Sequence, residues 1–244
     1  MSAAPLLSVD GISKSFRGLR AVYRASLEVK QGSIVSLIGP NGAGKTTMFN
    51  MAAGVFRPDE GSIHFDGRRI DGLRPDQICH AGIGRTFQIV KPFKELTALE
   101  NVLVGALRAE RDVRVARRKA DAVLDRLGMA DKRNQPAAQL TLPERKRLEV
   151  ARALAGEPKL LLLDEVMAGL RPTETDQMVA VFREINAKTG MTILLIEHVM
   201  RAVMALSERV VVLHHGEIIA NGTPDSVVRD PAVLECYLGE EAVA

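Results

Sequence analysis

The stretch GPNGAGKT, residues 39–46, decides how the rest of the chain is read. It fits G-x-x-x-x-G-K-[ST], follows the apolar run SIVSLI (residues 33–38) and precedes a helical pattern in GKTTMFNMAAG (residues 44–54). Strand, glycine-rich loop and helix in that order make a nest of backbone N–H groups at a helix N-terminus, where glycines let the chain approach a phosphate closely. Lys45 would neutralise phosphate charge, and the Thr46 hydroxyl would hold Mg²⁺. The phosphate-binding set is therefore Gly39, Pro40, Asn41, Gly42, Ala43, Gly44, Lys45, Thr46 and Thr47.

Outward from this loop, KLLLLDE (residues 159–165) precedes a helical pattern in residues 172–190, and MTILLIEH (residues 191–198) precedes another in residues 199–207. Continuous apolar strands followed by helices predict a parallel sheet covered on both faces, an α/β core. The N-terminal part alternates instead: LLSVDGISKSF (residues 6–16), RASLEVKQG (residues 24–32) and GSIHFDGRRI (residues 61–70) suit an antiparallel unit exposed on one face. Between about Phe87 and Pro158 the strand signal vanishes, and helices are predicted to begin near Thr97, Val113 and Thr141. Two of those starts carry capping boxes, Thr97 with Glu100 and Thr141 with Glu144. The expected organisation is a single domain: residues 1–86 and 159–222 form the core with its antiparallel unit, 87–158 a helical insertion and 223–244 a tail.

The chain has 244 residues, 46% apolar and 26% charged, as an ordinary globular protein does. Thirty-three basic against 30 acidic residues leave +3, and no long basic run marks a nucleic-acid footprint. The densest basic segment, residues 110–133, has eight basic and five acidic residues, but its apolar positions recur at helical spacing and describe the solvated face of an amphipathic helix. Cys79 and Cys236 belong to no C-x-x-C pattern and predict no disulfide. The start MSAAPLLSVD has no signal-peptide pattern, and no apolar run approaches the ~18 residues that span a bilayer. A cytosolic chain is expected, with any membrane connection made through a partner.

LLLLDE supplies the second half of a nucleotide site, delivering two acids at the carboxyl end of an apolar strand. Asp164 is the expected metal acid, which leaves Glu165 to orient or deprotonate an attacking water. His198 ends a third strand, where an imidazole can contact a γ-phosphate. Gln88 closes RTFQ (residues 85–88), at the junction of core and insertion, and Phe16 places a ring ahead of the loop, where it can stack on a base.

Taken in order, Phe16, GPNGAGKTT, RTFQ, a helix start at residue 141, LLLLDE and IEH resemble the ATP-binding subunits of ABC transporters over essentially the whole chain. The resemblance implies a P-loop NTPase core, RecA-like and mainly parallel, with an antiparallel β subdomain and an inserted α-helical subdomain. It implies adenine on Phe16, phosphates on residues 39–47, Mg²⁺ held by Thr46, Gln88 and Asp164, a general base at Glu165 and a switch histidine at His198. The wording of residues 58–105 and 222–240 is similar to the subfamily serving branched-chain amino acid uptake, with the ATPase of lipopolysaccharide export as nearest rival. Permease subunits, a second ATP-binding subunit and a peripheral place on the cytoplasmic face of the inner (cell) membrane are also implied. A soluble ABC ATPase acting on ribosomes or DNA usually has tandem cassettes or long coiled-coil insertions, which this chain lacks; a GTPase would need N-K-x-D, also absent.

One segment departs from the pattern. Where the family usually has Leu-Ser-Gly-Gly-Gln, directed at the partner's ATP, this chain has Leu140-Thr141-Leu142-Pro143-Glu144. Pro143 lacks an N–H, Leu142 adds bulk and Glu144 adds negative charge, so the segment should cap a helix well and bind phosphate badly. Arg171 also stands where the family commonly has an acid. A heterodimer with an ATPase bearing an intact segment is expected over a homodimer.

Overall fold

The computed structural model describes the backbone of residues 4–241 and the side chains of residues 4–237, so residues 1–3 and the last three of the expected tail lie outside it. The chain opens with β1 (Leu7–Phe16), β2 (Leu19–Val29) and β3 (Ile34–Ile38), then α1 (Lys45–Ala52), β4 (Glu60–Phe65), β5 (Arg68–Arg69), α2 (Pro75–Ala81) and β6 (Ile83–Arg85). Three helices follow, α3 (Ala98–Ala106), α4 (Val113–Arg126) and α5 (Leu142–Ala155). The chain then runs through β7 (Leu160–Asp164), α6 (Pro172–Thr189), β8 (Thr192–Ile196), α7 (Met200–Leu206), β9 (Arg209–His214), β10 (Glu217–Gly222), α8 (Pro224–Val227) and α9 (Pro231–Glu241).

Six strands form the main sheet in the order β10-β9-β3-β8-β7-β6, parallel except for β10, which pairs antiparallel with β9. Every position of β3, β7 and β8 is buried, the state that their unbroken apolar runs predict for strands covered on both faces. Their alternate side chains feed different cores. Leu161, Leu163, Ile193 and Leu195 pack with the helices α3 to α7, whereas Leu37, Leu160, Leu162, Leu194 and Ile196 pack with α1 and the second sheet. That second sheet, β2-β1-β4-β5, is antiparallel.

Three details differ from the sequence reading. The run at residues 61–70 is not one strand: Asp66 (φ 50°) and Gly67 (φ 74°) turn it into the β4-β5 hairpin, with Asp-Gly supplying the two left-handed positions of a type I′ turn. β2 begins at Leu19, earlier than the alternating segment at residues 24–32, because Arg17 (φ 48°) and Gly18 (φ 87°) fold a tight turn that pairs Phe16 with Leu19. β9, RVVVLH, is an unbroken apolar run like that of β3 and the sequence reading omits it, whereas β5, β6 and α2 are too short for a pattern and show only local marks. α2, for instance, starts with Pro75 in its first turn and the Arg74 N–H donating to Gln77 Oε1 at 2.9 Å.

Strand register sets the site. Leu37 lies beside Ile196, and Asp164 also lies beside Ile196, so the carboxyl ends of β3, β8 and β7 sit in one row along the sheet edge. In parallel α/β sheets ligands bind beyond that edge.

Candidate functional site

Beyond β3 the chain closes into a loop that only glycine permits. Gly39 (φ 146°) and Gly44 (φ 103°) have left-handed backbones, and a Cβ on either would run into a carbonyl oxygen, that of Leu213 or of Ala21. Gly42 (φ 76°) has open space where its Cβ would stand, so it keeps one wall of the site clear. The α1 helix starts on Gly44 with no side-chain cap and no acidic residue in its first turn, which leaves its positive end unneutralised. Lys45 is buried, and its Nζ donates to the carbonyl oxygens of Gly39 and Pro40 at 2.7 Å each, closing the loop across its own mouth.

A cavity of about 350 Å³ opens over this loop, lined by residues 41–47, by Gln88 and Glu165, and by Leu19, Arg20, Ala21 and His215. The fold thus brings Asn41, Gly42, Ala43, Gly44, Lys45, Thr46 and Thr47 together with Gln88 and Glu165, while Gly39, Pro40 and Asp164 lie outside the lining. Gln88 Nε2 donates to Glu165 Oε2 at 2.7 Å, a bond between residues 77 apart in sequence.

Glu165 sits one residue past β7 with φ 48°, a conformation that non-glycine residues adopt at a cost. Two main-chain bonds hold it there: its N–H donates to Ile196 O at 3.0 Å, and its carbonyl accepts from Lys146 Nζ at 2.9 Å. Asp164 is 2% exposed; burial pushes its carboxyl up, and the Arg85 guanidinium, 3.2 Å from Oδ2, opposes that shift. Arg85 is itself braced by Asn50 Oδ1 of α1 at 2.8 Å. Asp164 Oδ1 has no hydrogen-bond partner among the described residues. A buried carboxylate oxygen without a donor, at the carboxyl end of the strand that carries Glu165 into the cavity, fits a hard cation that arrives with a phosphate.

Glu197, beyond β8, is almost wholly buried. Burial pushes its carboxyl up to about 7, against the opposing N–H of Met167, 2.8 Å from Oε1, and the charge of Lys146. His198 follows it and is exposed, on the same sheet edge as Glu165 but outside the cavity lining. Phe16 also lies outside the lining; its ring meets Phe56 edge-on at 5.1 Å and remains 38% exposed.

The segment at residues 141–144 is absent from this cavity and satisfies itself instead. The Thr141 N–H and hydroxyl both donate to Glu144 Oε2, at 2.8 and 2.9 Å, and Lys132 Nζ lies 3.4 Å from Oε1. Burial raises the Glu144 carboxyl, but these partners outweigh it and hold the group below its usual range. Leu142 is 45% exposed at the helix start.

Sequence reasoning missed Arg20, Ala21 and His215, which reach the cavity through strand pairing; the only trace was Gly44, whose missing side chain makes room for Ala21. It also missed Arg85 and Lys146, because a lone basic residue in a helix or short strand carries no pattern.

A family model described as ABC transporter matches residues 22–168, and one described as Branched-chain amino acid ATP-binding cassette transporter matches residues 217–243. The high-affinity branched-chain amino acid transport ATP-binding protein LivG of Salmonella typhimurium is 41% identical, over 97% of this chain and 98% of its own length. Among solved structures, the ADP conformation of MJ1267, an ATP-binding cassette of an ABC transporter, is 32% identical with a TM-score of 0.88, covering 97% of this chain and all of its own. The dimeric post-hydrolysis state of the ATP-binding cassette MJ0796, bound to ADP and Pi, is 25% identical with a TM-score of 0.82, covering 89% of this chain and 98% of that one.

Proposed function

The chain belongs to the ABC transporter ATP-binding family, and from that premise we propose that its ATP hydrolysis drives a membrane importer for branched-chain or related amino acids. The observation that carries the reading is the meeting, in one cavity, of an uncapped helix N-terminus with Gln88 and Glu165. The branched-chain family model over residues 217–243 favours this system over lipopolysaccharide export.

In this reading residues 39–47 bind the phosphates of ATP, with Phe16 beneath the base. Thr46, Asp164 and Gln88 would hold Mg²⁺, which when bound supplies charge neutralisation at the phosphates. Glu165 accepts the proton of the attacking water, Lys45 leaves the Gly39 and Pro40 carbonyls for phosphate oxygens, and His198 contacts the γ-phosphate. The departing Gln88 side chain frees Glu165, so the 2.7 Å bond between them is a resting contact.

The partner is a second ATP-binding subunit, in a heterodimer, because the start of α5 is an unsuitable γ-phosphate site. Among the described residues no helix is long and apolar enough to cross a membrane. Attachment to the cytoplasmic face of the inner membrane therefore runs through permease subunits. Residues 89–99, where Ile89 is 72% and Phe93 46% exposed, form the docking rim. Single cysteines at Lys91 and Lys94 should crosslink to a permease subunit; labelling of other soluble proteins alone would count against the rim.

Glu165→Gln tests the reading directly. In the assembled complex it should keep ATP binding and lower turnover at this chain's own site by about 10² to 10⁴, the usual effect of losing a general base. Unchanged turnover after background subtraction refutes the assignment.

A further inference from the structure

Helix α5 does more than present its first turn. Lys146, Glu149 and Arg152 recur every three residues along it, on neighbouring positions of one face. Lys146 is 5% exposed, an unusual state for a lysine, and its Nζ is spent on a main-chain atom, the carbonyl of Glu165. One helical turn on, Glu149 is 4% exposed and takes main-chain N–H groups of Lys91 and Phe87. Arg152 donates from Nη1 to Lys91 O at 3.0 Å and to Glu149 Oε2 at 3.3 Å, and its guanidinium lies 4.9 Å from the centre of the Phe93 ring. One helix thus grips the strained acid at one end and the segment after Gln88 at the other.

We infer that Lys146 is a positioning residue for hydrolysis, clamping the Glu165 main chain so that the carboxylate stays aimed and moves with α5. The inference rests on Glu165 being the base. A left-handed φ at a non-glycine residue persists only where its surroundings impose it, and two bonds impose it here. The Ile196 carbonyl fixes the N–H side from the sheet. Lys146 fixes the carbonyl side from a helix attached to residues 87–93, so displacement of that segment reaches the Glu165 main chain through Lys146, beside the direct Gln88 contact to its carboxylate. Lys146 does not itself line the cavity, and it meets that wall through the main-chain carbonyl of Glu165, so its loss should spare nucleotide binding.

The test compares Lys146→Met, which keeps the buried stem but removes the donor, with Lys146→Arg, which keeps charge and donors. Both are measured in the assembled, membrane-reconstituted complex, with turnover normalised to bound nucleotide. Lys146→Met should lower kcat at this chain's site about tenfold to a hundredfold with KM for ATP within about twofold, since small misplacement of a reacting group costs rate rather than affinity. Lys146→Arg should recover most of the rate, and amide exchange at Glu165 should quicken in the Met variant alone. Normalised kcat within twofold of wild type in Lys146→Met overturns the inference. So do parallel losses of bound nucleotide and turnover in both variants, which assign Lys146 to stability. Glu165→Gln, run beside them, separates the two claims: full activity there fails the base assignment, whereas a dead Glu165→Gln beside an active Lys146→Met fails only the clamp.

Discussion

Two helix starts in this molecule differ in both cap and chemistry: Gly44 enters α1 with a left-handed backbone, Thr141 enters α5 with an extended one. At α1 the cap is Gly44, no side chain bonds the first-turn N–H groups, no acid lies among them, and the cavity opens directly above. At α5 the cap is Thr141, Glu144 folds back onto it, Pro143 contributes no N–H, and Lys132 neutralises the acid that remains. Both ends carry the partial positive charge of a helix dipole. Only the first offers it to a ligand, because a helix end binds an anion with the donors that its own side chains leave unclaimed.

The largest effects should come from closing the open end. Gly44→Ala drives a Cβ into the Ala21 carbonyl at a left-handed backbone and should weaken binding of a fluorescent ATP analogue by about 100-fold or more, given how steeply site geometry governs function. Gly42→Ala meets open space and bears only the left-handed strain of about 1–2 kcal/mol, so its loss should be near tenfold. Equal losses in the two would mean that steric approach does not shape this loop.

Opening the closed end should come next. Exchanging Leu142-Pro143-Glu144 for Gly-Gly-Gln should raise hydrolysis at the partner's nucleotide site by as much as about 100-fold, since one preorganised donor is worth roughly 3 kcal/mol, and leave this chain's own site within twofold. Single-turnover measurements with one site inactivated resolve the two.

Glu197 gives a pH test of the strand edge between the helices. Its folded value of about 7 lies above the ordinary 4.5, so the folded chain holds the proton more tightly. The resulting stability is complete below about pH 4.5 and is lost as pH rises through about 7, up to ~3 kcal/mol at ~1.4 kcal/mol per unit. Chemical denaturation between pH 5 and pH 8 should show this slope in the wild type and a flatter one in Glu197→Gln. The smallest effect is Thr141→Ala, which should cost about 1 kcal/mol of stability as cap substitutions do, read by urea unfolding. Thr46→Ala, at the uncapped helix, should change stability less and nucleotide binding more.

The contrast between the helix starts was legible in the sequence because both are local. Thr-x-x-Glu with proline inside, and Gly-Lys-Thr after an apolar strand, each fix their chemistry within a few residues. The three fully buried strands were legible for the same reason, as unbroken apolar runs. What escaped depends on pairs distant in the chain. Arg85 reaches Asp164 across 79 residues, Lys146 reaches Glu165 across 19, and Arg20 and His215 line the cavity only after β2 and β9 take their places. The short strands β5 and β6 likewise owe their form to partners rather than to pattern. His198 and Phe16 were named by family resemblance, and the fold leaves both outside the cavity wall, where a bound nucleotide or a second subunit would have to bring them into use.

Competence of the open start at α1 against that of the closed start at α5 is measured by the ATP turnover of the purified chain alone and after addition of the second ATP-binding subunit that the proposed heterodimer requires. The account predicts little turnover alone, because both sites of a homodimer would be completed by Thr141-Leu142-Pro143-Glu144, and a marked rise on mixing that Glu165→Gln in this chain abolishes. Robust, cooperative hydrolysis by the chain alone would contradict it, and would mean that a helix start capped by its own threonine and glutamate still receives a γ-phosphate.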